Sequence, residues 1–281
     1  MLNNIHKNNY LKLCNEIKVL FDCKLKNKNT MPVINSIKFK YTDIENNFAN
    51  INGINETYNV PIVSVHPLTP VELLNNLYNN PQSGLSINVN NINSCIINCL
   101  NSDFSGGKEQ FKYIYDLDLY FRSNIYKVID TNDKIYPLDN NVILYSKNIM
   151  CVKNLPNIIL TSVITIMPGK KEENDLDYYI KIKHLIKNIF KIAILQKHNI
   201  LILNDLFCSN IGFPMRYIVA MYNYYISKFG NMFKHIYICI SPTDKTKETL
   251  DYFVKNIFKP QDLFENINDE IVNNEIANDE E

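Results

Sequence analysis

Blocks of apolar residues recur along the chain, and their period changes from block to block. "NVPIVSVHPL" reads as a strand, and Thr69-Pro70-Val71-Glu72 then supplies an N-cap, a proline at the first helical position and a capping-box glutamate before "LLNNLY". "LSINV" and "SCIINCL" are short β-branched strands, and Glu109 to Phe121 reads as a helix. "NIYKVI", "NVILYS" and "IMCVK" read as short strands or strand-like loops. "NIILTSVITIM" is nearly continuous in β-branched apolar residues, as a strand covered on both faces requires. From Asp175 to about Gln196 the period becomes helical, with Tyr179, Ile182, Ile186, Ile189 and Ala193 on one stripe. "NILILND" returns to strand. Pro214 opens a helix whose Met215, Val219, Tyr222, Ile226 and Phe229 share a face, "HIYICI" is a strand, and a last helix follows with Ser241 as cap and Pro242 in its first turn.

This alternation predicts a three-layer α/β/α domain with a mixed sheet over residues 61–258. Residues 1–60 are Asn- and Lys-rich, with a helical pattern around Tyr10–Phe21 and a strand near Ile34–Tyr41, and read as an extension that packs on the core. Residues 259–281 are acidic and Asn-rich and read as a solvated, disordered tail.

Composition removes several function classes. Formal net charge is zero, so the general attraction of a basic domain for nucleic acid is not expected. No apolar run approaches about 18 residues, so no membrane span is expected. Seven cysteines at irregular spacing, with no secretory leader in the sequence, fit reduced thiols in the cytoplasm or nucleus. Neither they nor the scattered histidines have zinc-ligand spacing, so no metal site is expected.

In an open α/β sheet, ligands lie outside the carboxyl ends of strands, where loops enter helices and free backbone N–H groups face a bound anion. Two loops qualify. Leu100–Gly107 lies between "SCIINC" and the Glu109 helix, and Leu206–Phe213 between "ILILND" and the Pro214 helix. Gly106, Gly107 and Gly212 are three of only seven glycines in the chain. From the residues alone each loop is either a phosphate cradle or an ordinary helix entry.

The blocks from about Ser86 to Ile240 resemble, in order and spacing, the bacterial-type poly(ADP-ribose) glycohydrolases, which have the macrodomain fold. Where that family has Pro-Gly-Gly-Gly, seven residues, Gln-Glu-Glu and then Arg, Ser and Tyr, this chain has Phe104-Ser105-Gly106-Gly107, seven residues, Tyr115-Asp116-Leu117, then Arg122, Ser123 and Tyr126. "YSKNIMCVK" is similar to the family's "YSPDVPVFR", and "VITIMPG" to "VITAAAPN". "HNILILNDLFCSNIGFP" stands in the place of "HDALVLGAWGCGAFGNP".

The resemblance implies a cleft for ADP-ribose, free or on modified proteins, with the diphosphate between the two loops and the distal ribose beside the glycines. The second Glu is the family's general acid, and neither metal nor cofactor is needed. Here Leu117 occupies that position and cannot move a proton. The resemblance therefore implies a degenerate, ADP-ribose-binding member. Asp116 matches the first Glu and is the candidate for a ribose contact and the catalytic candidate that the resemblance leaves. Asp118 lies about 100° around the helix from position 117. Both aspartates also fit a solvated acidic helix face. Two other readings stay open: an active hydrolase using Asp116 or Asp118, and an interaction scaffold whose pocket is filled by Phe207 and Ile211.

Ligand-binding candidates implied by the resemblance are Asn98, Ser105, Gly106, Gly107, Cys208, Ser209, Asn210, Ile211 and Gly212. Asn98 fits either a ligand contact or a cap for the next turn, and Cys208 a packed thiol. Arg216 sits in a first helical turn, where the macrodipole disfavours a cation, and fits either a phosphate contact or an ordinary surface arginine.

Overall fold

The structure is a computed structural model that describes residues 33–50, 61–79, 93–99, 118–120, 122–129, 141–152, 158–168, 175–205, 212–240 and 246–257, with residues 19, 58 and 208. In chain order its elements are β1 (Asn35–Lys40), α1 (Tyr41–Ala49), β2 (Ile62–His66), α2 (Pro70–Asn79), β3 (Ser94–Cys99), α3 (Tyr126–Ile129), β4 (Val142–Val152), β5 (Ile158–Ile166), α4 (Asp175–Leu195), β6 (Ile200–Asn204), α5 (Met215–Phe229), β7 (His235–Cys239) and α6 (Lys247–Asn256). The strands form one seven-stranded sheet in the order β1-β4-β5-β3-β6-β7-β2. β5, β3, β6, β7 and β2 run parallel, while at one side β4 pairs antiparallel with β5 and β1 antiparallel with β4.

Side-chain alternation divides the interior into two cores, one on each face of the sheet. Cys95, Ile97, Ile164, Leu201, Leu203, Ile236 and Ile238 point to the face covered by α1, α4, α5 and α6. Ile96, Val163, Ile200, Ile202, Tyr237 and Cys239 point to the other, which α2 and residues 119–128 cover. β3, β6 and β7 are buried throughout, as their near-continuous apolar sequence requires. The α4 stripe Tyr179, Ile182, Ile186, Ile189 and Ala193 is buried as its spacing predicts.

Four local expectations change. The strand near Ile34–Tyr41 forms as β1 and pairs along its whole length with β4, so the sheet begins at Asn35, upstream of position 61. "NIYKVI" contains a short helix, α3. Lys127 N donates to Asn124 O at 3.0 Å and Val128 N to Ile125 O at 2.8 Å, and a short apolar run does not by itself distinguish helix from strand. "NVILYS" and "IMCVK" are one strand, β4, interrupted by a bulge between Ser146 and Ile149, where Asn148 takes φ 64°. Asparagine tolerates that left-handed geometry better than most residues. The last helix starts at Lys247 with Thr246 at its N-cap position, not at Ser241. Thr249 and Phe253 of this helix are buried, and Leu250 packs against the core.

Among the described residues no cysteine is in a disulfide, no helix is long and apolar enough to cross a membrane, and no three His, Cys, Asp or Glu side chains are grouped to hold a metal.

Candidate functional site

The chain leaves β3 toward β4 and β5 on one side and leaves β6 toward β7 on the other. β3 and β6 are neighbours, so the boundary between them is a topological switch point, the place where open parallel sheets bind ligands. The hydrogen-bond ladders mark it. β3 pairs with β6 only over Ser94–Ile96 and Ile200–Ile202. β3 continues with β5 to Cys99 and Ile166, and β6 with β7 to Asn204 and Cys239. The sheet therefore opens between β3 and β6 at its carboxyl end.

Asn98 and Asn204 lie on the two lips of this split. Each is two residues beyond a side chain of the α2-side core, Ile96 or Ile202, so both face that side. They are 4% and 1% exposed. Asn204 Nδ2 spans the opening and donates to Ile97 O at 3.2 Å, the β3 carbonyl just past the end of the ladder. Asn98 Nδ2 donates to Thr165 Oγ1 at 3.5 Å, on the strand paired with it in register. From the opposite face the Tyr222 hydroxyl donates to Asn204 O at 2.7 Å, fixing the end of β6 to α5.

The loop after β6 begins with buried Asp205. Cys208 N donates to Asp205 O at 2.8 Å and Gly212 N to Cys208 O at 3.0 Å, closing a turn. Gly212 has φ 71° and nothing within 4 Å of where a Cβ would sit, so backbone conformation, not space, favours glycine there. Burial, reinforced by Asp205, pushes the Cys208 thiol up, so it stays protonated at neutral pH and is no ready nucleophile. Pro214 occupies the N-cap position of α5 and provides no side-chain cap; Tyr217 N donates to Pro214 O at 3.1 Å, and the N–H groups of Met215 and Arg216 stand at the helix end that suits an anion. Arg216 is exposed. Its guanidinium lies 4.7 Å from the centre of the Tyr217 ring, with Nη2 donating to the Tyr217 hydroxyl at 2.9 Å.

On the α2 side the predicted capping box forms. Thr69 N donates to Glu72 Oε2 at 3.0 Å and Glu72 N to Thr69 Oγ1 at 3.3 Å. The same Thr69 hydroxyl donates to Asp118 Oδ2, and Arg122 Nε donates to Asp118 Oδ1 at 2.7 Å. Asp118 is thus a buried anchor, 3% exposed, and not part of a solvated acidic face. Burial raises its carboxyl above the usual range; Arg122 and Thr69 offset part of that rise. Sequence reasoning did not find this role. Its signal was the i,i+4 pairing of Asp118 with Arg122, which has meaning only once Thr69 is known to lie opposite. Ser105, Gly106, Gly107, Asp116, Leu117, Phe207, Ser209, Asn210 and Ile211 lie outside the described residues.

The architecture is a three-layer, macrodomain-like α/β/α fold built on a mixed sheet. It is shared with solved poly(ADP-ribose) glycohydrolases. The enzyme of Deinococcus radiodurans in complex with ADP-ribose matches with a TM-score of 0.63 at 11% identity, over 79% of this chain and 93% of that one. The enzyme of Thermomonospora curvata matches at 0.63 and 10% identity, over 79% and 85%. Bound to the inhibitor ADP-HPD, it matches at 0.60 and 11%, over 78% and 84%. No protein-family model matches the sequence, and no curated protein does.

Proposed function

We propose that the protein is an ADP-ribose-binding macrodomain of the glycohydrolase type in which hydrolysis has been lost. The observation that carries the reading is the split between β3 and β6. It lies at the switch point of a fold that, in the Deinococcus enzyme, is found with ADP-ribose. The N-terminus of α5, which has no side-chain cap from Pro214, follows the loop after β6 and suits a diphosphate. Leu117 stands where the resembled family has its acid, and an alkyl side chain supplies no proton to a leaving ribose oxygen. The ligand class is ADP-ribose, free or attached to protein.

Asp118 does not favour the active-enzyme alternative. A general acid needs an oxygen facing substrate, and both Asp118 oxygens are engaged, by Thr69 and Arg122. Calorimetry with ADP-ribose tests the proposal, with a dissociation constant between about 1 μM and 1 mM expected. No heat up to several times the upper limit removes it. Release of ADP-ribose from an automodified substrate, abolished by Asp116→Ala, would replace it with an active hydrolase.

A further inference from the structure

Away from the split, the last strand of the sheet carries a nucleophile and a base in contact. Ser64 and His66 alternate along β2, so both side chains stand on one face. In-register pairing sets Ser64 beside Tyr237 and His66 beside Cys239, which makes it the α2-side face. Ser64 Oγ and His66 Nε2 lie 2.7 Å apart in a hydrogen bond. With the ring proton on Nδ1, the serine hydroxyl donates to Nε2, the geometry in which an imidazole takes the proton of an attacking oxygen. Burial lowers the His66 pKa from 6.5, so the ring is neutral at neutral pH and free to act as a base. The buried Tyr237 ring packs against it edge-on, with 5.4 Å between centres and 64° between planes. Both Ser64 and His66 remain partly exposed.

The backbone supplies a third element. Among the described residues β2 ends the sheet and pairs with β7 alone. Ile62 N donates to Lys234 O at 3.2 Å and Ile240 N to His66 O at 2.9 Å, so residues 62, 64 and 66 bond inward and the N–H groups of Val63 and Val65 turn to the outer edge. Val65 directly follows Ser64, and the N–H after a nucleophile is a recurrent donor to the oxyanion of a tetrahedral intermediate. We propose that Ser64, His66 and the Val65 N–H form a second site, an acyl-transfer dyad on the open edge of β2 that hydrolyses short-chain carboxylic esters. Ser64 Oγ bonds to the ester carbonyl carbon as its proton passes to His66 Nε2. The bond from that carbon to the alcohol oxygen then breaks, and the alcohol leaves with the proton. Water attacks the acyl-serine, His66 relays a water proton back to Ser64 Oγ, and the carboxylic acid is released. Among the described residues no carboxylate backs His66 Nδ1, which suits an ester rather than the less reactive amide. The site is independent of the ADP-ribose reading.

The test treats the full chain with a fluorophosphonate probe, which labels serines activated by a neighbouring base, and with p-nitrophenyl acetate as the ester. Peptide mass mapping is expected to place the label on Ser64. Ser64→Ala is expected to abolish both the label and the protein-dependent release of p-nitrophenol. His66→Gln, which can still hydrogen-bond the serine, is expected to slow labelling at least about a hundredfold, the usual worth of a positioned general base. In His66→Ala, imidazole added to the solution is expected to recover part of the rate, a rescue that a merely structural histidine would not allow. No label, or a label on another residue, overturns the proposal. So does labelling of Ser64 at equal rates in wild type and His66→Gln. ADP-ribose titration reads the other site, so binding of ADP-ribose without a label on Ser64 removes this inference alone.

Discussion

Thr69 and Asp118, 49 positions apart in sequence, share a buried hydrogen bond at 2.5 Å between the threonine hydroxyl and a carboxylate oxygen. The hydroxyl also accepts from Glu72 N, so one side chain both caps α2 and fastens the helical turn that precedes α3. Asp118→Ala is expected to destabilise the fold by about 2 kcal/mol, below the value for a fully buried pair because Arg122 is partly in solvent. Thr69→Ala is expected to cost about 1–2 kcal/mol as a lost cap and anchor. In urea denaturation the double variant should fall short of the sum by about 1 kcal/mol, and strict additivity would show that the two residues act separately.

His198 gives the fold a defined response to acid. Its Nδ1 donates to Asn93 O at 3.3 Å, so Nε2 carries the lone pair of the neutral ring and faces the Tyr145 hydroxyl at 2.9 Å. Burial lowers its pKa from 6.5 to about 4. The unfolded chain therefore takes up a proton between these values and the folded chain does not. Stability is full above pH 6.5 and falls by up to about 3 kcal/mol as pH drops toward 4. Asp118, whose pKa is raised, contributes the opposite slope above its unfolded value. The check is consequently the difference between wild type and His198→Gln, which should lose about one proton's worth of pH dependence. Equal slopes would place the titration elsewhere.

Gly212→Ala should lower stability by about 1 kcal/mol, the usual cost of placing a Cβ in the left-handed region. No steric penalty should add to it, because the space around the position is open. Gly212→Asn should cost less. A loss of several kcal/mol on thermal or urea unfolding would mean that close contact, not backbone geometry, selects the glycine.

Leu117→Glu tests the proposed loss of the proton donor directly. With an intact cleft, the variant should release ADP-ribose from an automodified substrate while wild type releases none. Unchanged inactivity together with unchanged ADP-ribose affinity would mean that more than one group has been lost.

The layered fold was legible because its buried strands and amphipathic helices carry strong periods, as the α4 stripe and the wholly buried β3 and β6 show. Short elements were not. Ile125, Tyr126 and Val128 have strand-like composition, yet Asn124 ties the segment to β4 by exchanging hydrogen bonds with Met150, Ser123 Oγ donates back to Leu119 O, and the chain closes a helical turn. Those partners lie up to 26 positions away, outside any local window. Asn98 was singled out by its place before the glycine loop, and it lies on one lip of the split between β3 and β6. That Thr165 and Asn204 flank it was not legible, because only strand order brings residues 98, 165 and 204 onto neighbouring strands.

β1 has a consequence for anyone who shortens the chain. Its backbone occupies the outer hydrogen-bonding groups of Val142–Lys147, which belong to a strand rich in aliphatic and aromatic side chains. Starting translation at Pro61 would strip that cover and leave an open, sticky flank. Such flanks recruit strands from other molecules, so the shortened product should accumulate as insoluble aggregates even if the remaining layers fold.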